Sequence, residues 1–228
     1  MHYPEAGQPP HSTTEASALM AAPRGPQFDE GAEVGGTTSF SVADQFGNVI
    51  AATPTHGGGF GTGVVVGTTG LLINNGTRIG STSPYPDDVN YVRGGQIPLL
   101  NNSPVIVMKD GEFVLAIGSP GGETIGQTQF QAILNVLEFG MSIQEAVAAP
   151  RFALTAAPNF YLLDAELVLN LENRVDSDIV AALRDIGHTV ELAAPYSLGS
   201  NQGIFRDPIT GTFWAGADPR RVAYAVGW

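Results

Sequence analysis

One stretch of the chain decides its fold: Glu33-Val-Gly-Gly-Thr-Thr-Ser-Phe-Ser-Val-Ala-Asp44. Its paired glycines, Gly35 and Gly36, can adopt backbone conformations that other residues avoid. After them, polar and apolar residues alternate from Ser39 to Ala43, a pattern typical of a half-buried strand. The sequence therefore places a strained, accessible peptide bond directly before Thr37, at the start of a strand.

The hydroxyl of Thr37 has two interpretations, and this stretch alone leaves both open. In the first, Thr37 is an ordinary strand residue that follows a Gly-Gly turn. In the second, its hydroxyl attacks the Gly36 carbonyl, cuts the chain and leaves Thr37 as a new N-terminus. The α-amine released in this way, with an ordinary pKa of about 7.7–8.0, is a base covalently attached to its own nucleophile.

Composition limits the class of protein. The chain has 228 residues, 43% of them hydrophobic, which is enough for one sizeable core and favours a single domain. Its net charge of −12 argues against a surface that binds nucleic acid or anionic membranes. The lack of cysteine excludes disulfides and cysteine nucleophiles, and the four histidines are scattered, so we expect no metal and no cofactor. No apolar run approaches the about 20 residues that span a bilayer, and localisation stays unknown.

Local patterns predict hairpins separated by helices. The predicted strands are 38–44, 49–53, 64–66, 71–74, 104–108, 113–118, 151–155, 161–164, 167–171, 203–207 and 212–215. The predicted helices run from the Gly118–Gly122 turn to about Glu138, from the Ser142 capping box to Pro150, and from Asp176 to Gly187. This order of elements indicates an α+β fold.

Two expectations concern the packing of single residues. The first helix should bury an apolar stripe made of Ile125, Ile133, Leu134 and Leu137. Asp44 and Asp218 are interpreted as turn residues rather than as acid–base catalysts, because an α-amine at Thr37 already supplies a base. A glycine-rich segment, Pro54–Gly63, has neither the register nor the lysine of a phosphate-binding loop, so we reject a nucleotide site.

Several motifs occur in an order that is known from one family. They are Val34–Asn48, Phe60-Gly-Thr-Gly63, Leu71-Leu-Ile-Asn-Asn75, Ser103-Pro104, Gly118-Ser-Pro-Gly-Gly122, Met141–Phe152 and Gly216-Ala-Asp-Pro-Arg220. In this order they resemble the small, catalytic subunit of the gamma-glutamyltranspeptidase family of N-terminal nucleophile hydrolases. The resemblance runs from about Val34 to the C-terminus. It implies an αββα sandwich of four layers, in which two antiparallel sheets stack between layers of helices.

The resemblance also implies roles for four residues. Thr37 is the nucleophile, and Thr55 supports its hydroxyl. The backbone amides of Gly121 and Gly122 form the oxyanion site. Taken without the resemblance, these glycines fit equally well an anion-binding strand-to-helix turn and a corner that merely tolerates glycine. The implied reaction is acyl transfer: an amide is cleaved through an acyl-enzyme, which is released to water or to an amine.

The family pattern divides the chain at the nucleophile. Residues 1–36, rich in Pro, Gly, Ala, Ser and Thr, are expected to be a mobile tail that ends a larger subunit, and residues 37–228 to be the catalytic domain. Self-cleavage parts the two subunits in this family, so the expected partners are the large subunit, in a heterodimer, and a small amide substrate.

The chain departs from the family where the substrate is held. Gly57 stands in place of an Asn that follows the supporting threonine, and Arg78 stands where the family has acidic residues that bind the α-ammonium of a glutamyl group. The Ser-Ser pair that binds the α-carboxylate in the family corresponds to positions near Leu100 and Asn101 of this chain. We therefore predict a different substrate-binding set. It consists of Asn75, Arg78, Asn101 and Asn102.

Three functions are compatible with these residues. The first is an ordinary gamma-glutamyltransferase or glutathione hydrolase with realigned loops. The second, which we favour, is an enzyme for an amide whose acyl part lacks an α-ammonium, such as a dicarboxylic acid monoamide, because an arginine repels an ammonium and attracts a carboxylate. The third is a non-catalytic relative. The joint presence of Thr37, Thr55, Gly121 and Gly122 argues against it.

Overall fold

The computed structural model describes residues 36–75, 91, 93–95, 102–157 and 165–227, and the backbone divides into two compact units. The described part of the first unit comprises Gly36, 56–75, 91 and 93–95. That of the second comprises 37–55, 102–157 and 165–227. Residues 1–35 lie outside the described residues, so the predicted boundary between a tail and a catalytic domain at residue 36 stays a prediction.

The second unit contains all the regular elements that the structure describes. Its strands are β1 (Phe40–Ala43), β2 (Val49–Ala52), β3 (Val105–Lys109), β4 (Glu112–Gly118), β5 (Phe152–Ala157), β6 (Glu166–Glu172), β7 (Val190–Ala193), β8 (Gln202–Arg206) and β9 (Phe213–Ala217). Its helices are α1 (Ile125–Leu137), α2 (Ile143–Ala148) and α3 (Ser177–Asp185), and a 3₁₀ turn, Gly122–Thr124, precedes α1. The α+β class is confirmed.

The strands form three sheets. β1 and β2 pair antiparallel, and β3-β4-β8-β9 form an antiparallel sheet of four strands. The third sheet has the order β5-β6-β7, with β6 and β7 parallel. Parallel neighbours need a crossover, which α3 supplies. No strand was predicted between Gly187 and residue 203, so β7 and this parallel pairing were missed.

The β1–β2 hairpin follows from the chemistry of its turn. Asp44 Oδ1 accepts hydrogen bonds from the backbone amides of Phe46 and Asn48, both at 2.9 Å, and Gly47 takes a positive φ of 88°. Aspartate is favoured in turns for this bonding, and glycine for this backbone geometry. These bonds, together with one from the Asn48 side chain as the largest contribution, lower the pKa of the Asp44 carboxyl. The prediction that Asp44 is a turn residue is therefore correct.

The main core lies between the four-stranded sheet and helices α1 and α2. Its fully buried members are Leu115, Ile117, Ala132, Val136, Ile143, Ala146 and Val147. The capping box at Ser142 is present, since Glu145 N donates to the Ser142 hydroxyl and Glu145 Oε2 accepts from Ser142 N.

The predicted apolar stripe of α1 is only partly correct. Ile125 is buried, but Leu137 is 43% exposed and Ile133 and Leu134 are half-buried. The buried face instead contains Thr128 and Gln129. Thr128 is buried because its backbone oxygen and its hydroxyl both contact the side chain of Asn201, a pairing that helical periodicity cannot reveal.

Helix α1 also covers the free edge of β5. Gln127 donates to the Leu154 oxygen and accepts from the Leu154 amide, and Gln131 does the same with Phe152, at distances of 2.7–3.1 Å. Two glutamines one turn apart thus replace a neighbouring strand. Covering an edge in this way prevents it from pairing with another chain.

The first unit consists of turns stabilised by backbone hydrogen bonds. Val65 and Leu72 form an isolated antiparallel bridge, and Thr62 N donates to the Ile73 oxygen at 2.9 Å. The predicted strands 64–66 and 71–74 are therefore reduced to this bridge. Predicted strand 161–164 lies outside the described residues. Within the described ranges, none of the helices has the length and apolar character to cross a membrane.

Candidate active site

Thr37 and Thr55 face each other at the open end of the β1–β2 hairpin. They form an antiparallel bridge in the same register as the hairpin, and Thr38 N donates to the Pro54 oxygen at 3.0 Å. Antiparallel residues that do not exchange backbone hydrogen bonds have closer side chains than those that do. Accordingly, Thr37 Oγ1 lies 2.6 Å from Thr55 Oγ1.

This face of the strand is a row of hydroxyl groups. Side chains at every second position point to the same face, which places Ser39 and Ser41 beside Thr37. Thr53 donates to the Ser39 hydroxyl at 3.3 Å and repeats the pairing of Thr37 and Thr55. Gly118, at the end of β4, has no room for a side chain, because a Cβ there would overlap the Ser39 hydroxyl. Only glycine allows β4 to pack this close to the strand.

In the first unit, the carbonyl oxygen of Gly36 is held by the chain that follows Thr55. His56 N donates to Gly36 O at 2.7 Å. A Cβ on Gly36 would lie 2.6 Å from Gly58 O and 3.0 Å from His56 Cβ, so a larger residue would force a shift of the backbone. The glycine before Thr37 is thus required by space, a reason different from the flexibility that the sequence indicated.

Asn75 secures the same turn. Its backbone amide donates to His56 O at 2.8 Å, and its side-chain oxygen accepts from Gly58 N at 2.7 Å. Gly57 has a positive φ of 85°, and a Cβ there would overlap Asn75 Oδ1. The substitution of glycine for the family asparagine at position 57 therefore fits the local backbone. The predicted contact of Asn75 with substrate stays a prediction, and its oxygen already has a partner.

The corner before α1 presents the backbone amides of two glycines, Gly121 and Gly122. Gly121 has φ 136° and Gly122 has φ 55°, conformations that favour glycine. Among the described residues, neither Gly121 N nor Gly122 N donates a hydrogen bond, whereas the Gly121 oxygen accepts from the amide and the hydroxyl of Thr124. Pro120, the residue before Gly121, lines the same cleft as Thr37.

That cleft has a volume of about 350 Å³ and belongs to the second unit. Of the described residues that line it, Arg221 is the only charged one. The Ser41 hydroxyl and the Gln202 side-chain nitrogen, also in its lining, are buried and have no hydrogen-bond partner among the described residues. Among the described residues, the lining of the cleft beside Thr37 therefore combines positive charge and unsatisfied polar groups, and it includes no carboxylate.

Of the remaining residues predicted to bind substrate, only Asn102 lies within the described residues. Arg78 and Asn101 lie outside the described residues, so their roles stay predictions. Asn102 donates from Nδ2 to Thr53 O at 3.1 Å, which anchors it to the segment that follows β2. The structure therefore brings Thr37 and Thr55 together, and it gives Asn75 and Asn102 hydrogen bonds to the protein backbone.

A buried ion cluster stands apart from the hydroxyl row. Glu172 accepts from Arg220 through both carboxylate oxygens, each at 2.7 Å, and also pairs with Arg174. Asp218 bridges Arg151 at 2.7 Å and Arg220 at 3.0 Å. The interpretation of Asp218 as a turn residue is therefore incomplete: it does accept from Arg220 N, but its side chain is fully buried.

Hydrogen bonding sets the protonation states in this cluster. Burial by itself raises the pKa of Glu172, but hydrogen bonds from Arg220, the Leu198 amide and Arg174 outweigh it and lower that pKa to about 2. Burial lowers the pKa of Arg151 to about 10, although its pairing with Asp218 opposes the shift. The sequence signal for this cluster was Asp-Pro-Arg at 218–220, which we used only as a family motif. Among the described residues, no group of His, Asp and Glu could hold a metal ion.

Comparison with known proteins identifies the family. The profile of the family described as Gamma-glutamyltranspeptidase matches residues 8–228. The chain belongs to the gamma-glutamyltranspeptidase family. It is 35% identical over 193 residues to the glutathione hydrolase proenzyme of Bacillus subtilis (strain 168), covering 85% of this chain and 31% of that protein. It is 32% identical over 200 residues to the acylase ACY 1 proenzyme of Pseudomonas sp. (strain SE83), covering 86% and 34%.

Solved structures agree with this assignment. Gamma-glutamyltranspeptidase from Pseudomonas nitroreducens, complexed with L-DON, superposes with a TM-score of 0.65 at 29% identity, covering 84% of this chain and 98% of the solved chain. Cephalosporin acylase from Bacillus halodurans gives a TM-score of 0.64 at 28% identity, covering 79% and 32%. The chain spans about a third of the length of the curated relatives it matches.

Proposed function

We propose that this chain is the catalytic part of a self-cleaving N-terminal threonine hydrolase or acyltransferase. The observation that carries the proposal is the 2.6 Å hydrogen bond between the Thr37 and Thr55 hydroxyls, directly after the Gly36–Thr37 peptide bond. A nucleophile needs an oriented hydroxyl and a route for its proton. Thr55 supplies the orientation, and the α-amine exposed by cleavage supplies the base.

Turnover then follows in two steps, formation of the acyl-enzyme and its release. The Thr37 oxygen adds to the carbonyl carbon of the substrate amide while its proton moves to the α-amine and on to the leaving nitrogen, and the C–N bond breaks. Water or an acceptor amine next attacks the acyl ester, and the proton it loses returns to the Thr37 oxygen. In both steps negative charge develops on the carbonyl oxygen of the substrate.

The amides of Gly121 and Gly122 are proposed to stabilise that charge. Neither donates a hydrogen bond within the described part of the chain, and both lie at the start of a helix, where the dipole favours anions. Removing one oxyanion donor typically costs about 100- to 1000-fold in rate. We propose that they act on substrate after Thr37 has become the N-terminus.

We further propose that the acyl part of the substrate carries a carboxylate and lacks an α-ammonium. Arg221 is the charged residue that lines the cleft with Thr37, and the Gln202 nitrogen there has no partner among the described residues. An arginine pairs with a carboxylate and repels an ammonium. Gly57, together with the predicted role of Arg78, Asn101 and Asn102 in binding, supports the same class of substrate.

A second candidate is an ordinary gamma-glutamyl enzyme. The observation that favours it is the relatives named glutathione hydrolase, such as that of Bacillus subtilis. Relatives named acylase match a similar share of the chain, so the names of the relatives do not point to a single activity. Arg221, the one charged residue among the described residues that line the cleft, leads us to rank the carboxylate-bearing amide first.

We propose a heterodimer with the αββα sandwich of the family, in which a larger subunit covers the outer face of β1 and β2. The support is that Phe40, Val42 and Ile50 on this face are 46–57% exposed, and Phe46 in the turn is 81% exposed. Apolar patches that stay exposed in one chain often mark an interface. The proenzyme names of the relatives support the same division of the precursor.

The test is the mass and N-terminal sequence of the full-length protein after expression, beside a Thr37→Ala variant. We expect the wild type to split between Gly36 and Thr37 and the variant to stay whole. Two matched substrates then decide the acyl group, a γ-glutamyl anilide and a glutaryl anilide, which differ only in the α-ammonium. A folded wild type that stays whole would favour the non-catalytic relative.

A further inference from the structure

The carbonyl oxygen of Gly36 accepts a hydrogen bond while the chain is still intact. His56 N–H donates to it at 2.7 Å. In self-cleavage, negative charge develops on this oxygen when the hydroxyl of the next residue adds to the carbonyl carbon. We propose that the His56 backbone amide is the oxyanion donor of the self-cleavage step. The inference rests on the proposed function and extends it, since Gly121 and Gly122 are assigned to turnover of substrate.

The donor is fixed from both sides by Asn75. Its backbone amide bonds to His56 O at 2.8 Å, and its side-chain oxygen accepts from Gly58 N at 2.7 Å. The His56–Gly58 turn therefore cannot rotate its first amide away from Gly36 without breaking these bonds. Asn75 is a positioning residue for self-cleavage, acting through the amide of His56.

The acceptor is fixed as well. A Cβ on Gly36 would lie 2.6 Å from Gly58 O, so the backbone of Gly36 packs directly against the turn that carries the donor. The donor already bonds this oxygen in the intact chain, so it needs little reorganisation when charge develops there, and preorganised donors are the most effective ones. Glycine at 36 and at 57 satisfies this geometry, because a side chain at either position would displace the turn.

Self-cleavage proceeds as an N-to-O acyl shift followed by hydrolysis. The Thr37 oxygen bonds to the Gly36 carbon, and the hydroxyl proton passes through the Thr55 hydroxyl to the Thr37 nitrogen. The C–N bond then breaks, which leaves an ester between Gly36 and the Thr37 oxygen and a free α-amine. Water hydrolyses the ester to the Gly36 carboxylate and the Thr37 hydroxyl. Negative charge develops on Gly36 O in both the acyl shift and the ester hydrolysis, and the same His56 N–H faces it each time.

The decisive experiment replaces only the donor. Tyrosine and its α-hydroxy acid are incorporated at position 56 of the full-length protein, giving two proteins with the same side chain, one with an amide and one with an ester. The exposed position of the His56 side chain suits this exchange. We expect the ester protein to cleave about 100-fold more slowly than the amide protein. Equal rates would overturn the proposal.

A second pair of variants decides the matter if the ester protein does not fold. Asn75→Asp keeps the oxygen that accepts from Gly58 N, whereas Asn75→Ala removes it. We expect Asn75→Ala to slow self-cleavage about tenfold, as the loss of one hydrogen bond implies, and Asn75→Asp to restore most of the rate. Equal rates in the two variants would overturn the proposal. A wild type that never cleaves would instead refute the proposed function, and N-terminal sequencing of the wild type alone detects that outcome.

Discussion

The hydroxyl row at Thr37 and the ion cluster at Glu172 lie in the same unit and rely on opposite kinds of chemistry. The row pairs neutral groups, Thr37 with Thr55 at 2.6 Å, whereas the cluster pairs full charges that water does not reach. Two adjacent residues show the contrast. The Arg220 side chain is 1% exposed within the cluster, and Arg221 lines the cleft beside Thr37.

The difference shows that a strongly perturbed pKa does not mark the candidate active site of this chain. The carboxyl group with a pKa near 2 is that of Glu172. It accepts hydrogen bonds from two arginines and from the backbone amides of Ser197 and Leu198, and it has a structural role. A threonine nucleophile needs no perturbed side chain, because its base is the α-amine that cleavage creates. Four predictions separate the two regions.

Breaking the cluster should have the largest effect, and the effect should be on stability. Glu172→Gln removes one of the two carboxylates that pair with the buried Arg220 and leaves Asp218 shared between Arg151 and Arg220. Losing one partner of a buried pair costs about 3–5 kcal/mol in the free energy of unfolding. Urea denaturation of the full-length protein measures it. Glu112→Gln is the control, because its pair with Arg206 is exposed and should be worth less than about 1 kcal/mol. Equal losses in the two variants would contradict the contrast.

Thr55→Val should affect the rate instead. Valine keeps the shape of threonine but removes the hydroxyl 2.6 Å from Thr37, so we expect self-cleavage to slow about 100-fold, at the lower end of the effect of proton-transfer groups. Thr55→Ser keeps the hydroxyl and serves as the control. The time course of cleavage and the melting temperature are measured together. A variant that cleaves at the wild-type rate would remove Thr55 from the proposed mechanism.

Arg221→Gln should affect substrate binding. The lost charge-assisted hydrogen bond to the substrate should raise KM for a glutaryl anilide about tenfold. Arg220→Gln, one residue earlier, should show the reverse, with lost stability and an unaltered KM in the folded fraction. Steady-state kinetics and denaturation of both variants test the pair. A KM that is the same with Arg and with Gln at 221 would assign the carboxylate to another residue.

Acid should weaken the cluster gradually, and at pH 4 this is the smallest of the four effects. The pKa of Glu172 is lowered from 4.5 to about 2 in the folded chain, so its contribution is complete above the unfolded value. It is lost as pH falls from about 5 towards 2, because the unfolded state then binds more protons. Urea denaturation at several pH values should give a flatter profile for Glu172→Gln than for wild type, and parallel profiles would contradict this account.

The sequence was sufficient for the elements that local chemistry determines. Asp44 specifies its turn, Ser142 its capping box and Asp176 the start of α3, and each prediction holds because the bonds involved span only a few residues. The pairing of Thr37 with Thr55 follows from the same local hairpin, extended by three residue pairs beyond β1 and β2.

What the sequence did not reveal depends on contacts between distant segments. Thr128 is buried because it meets Asn201, and Asp218 is buried because it meets Arg151, neither of which helical or strand periodicity encodes. The roles of Arg78 and Asn101 stay predictions. The contact of His56 N with Gly36 was missed because backbone amides leave no signature in a sequence.

The shared register of the hairpin and the Thr37–Thr55 bridge has a consequence for quality control. A shift of one residue between β1 and β2 would turn every side chain of the shifted strand to the opposite face, and the Thr37 hydroxyl would no longer meet Thr55. A wrongly paired molecule would then remain uncut. Under the proposed function, cleavage would occur only in molecules whose hairpin has the correct register. Misfolded molecules would therefore never acquire the N-terminal threonine that gives activity.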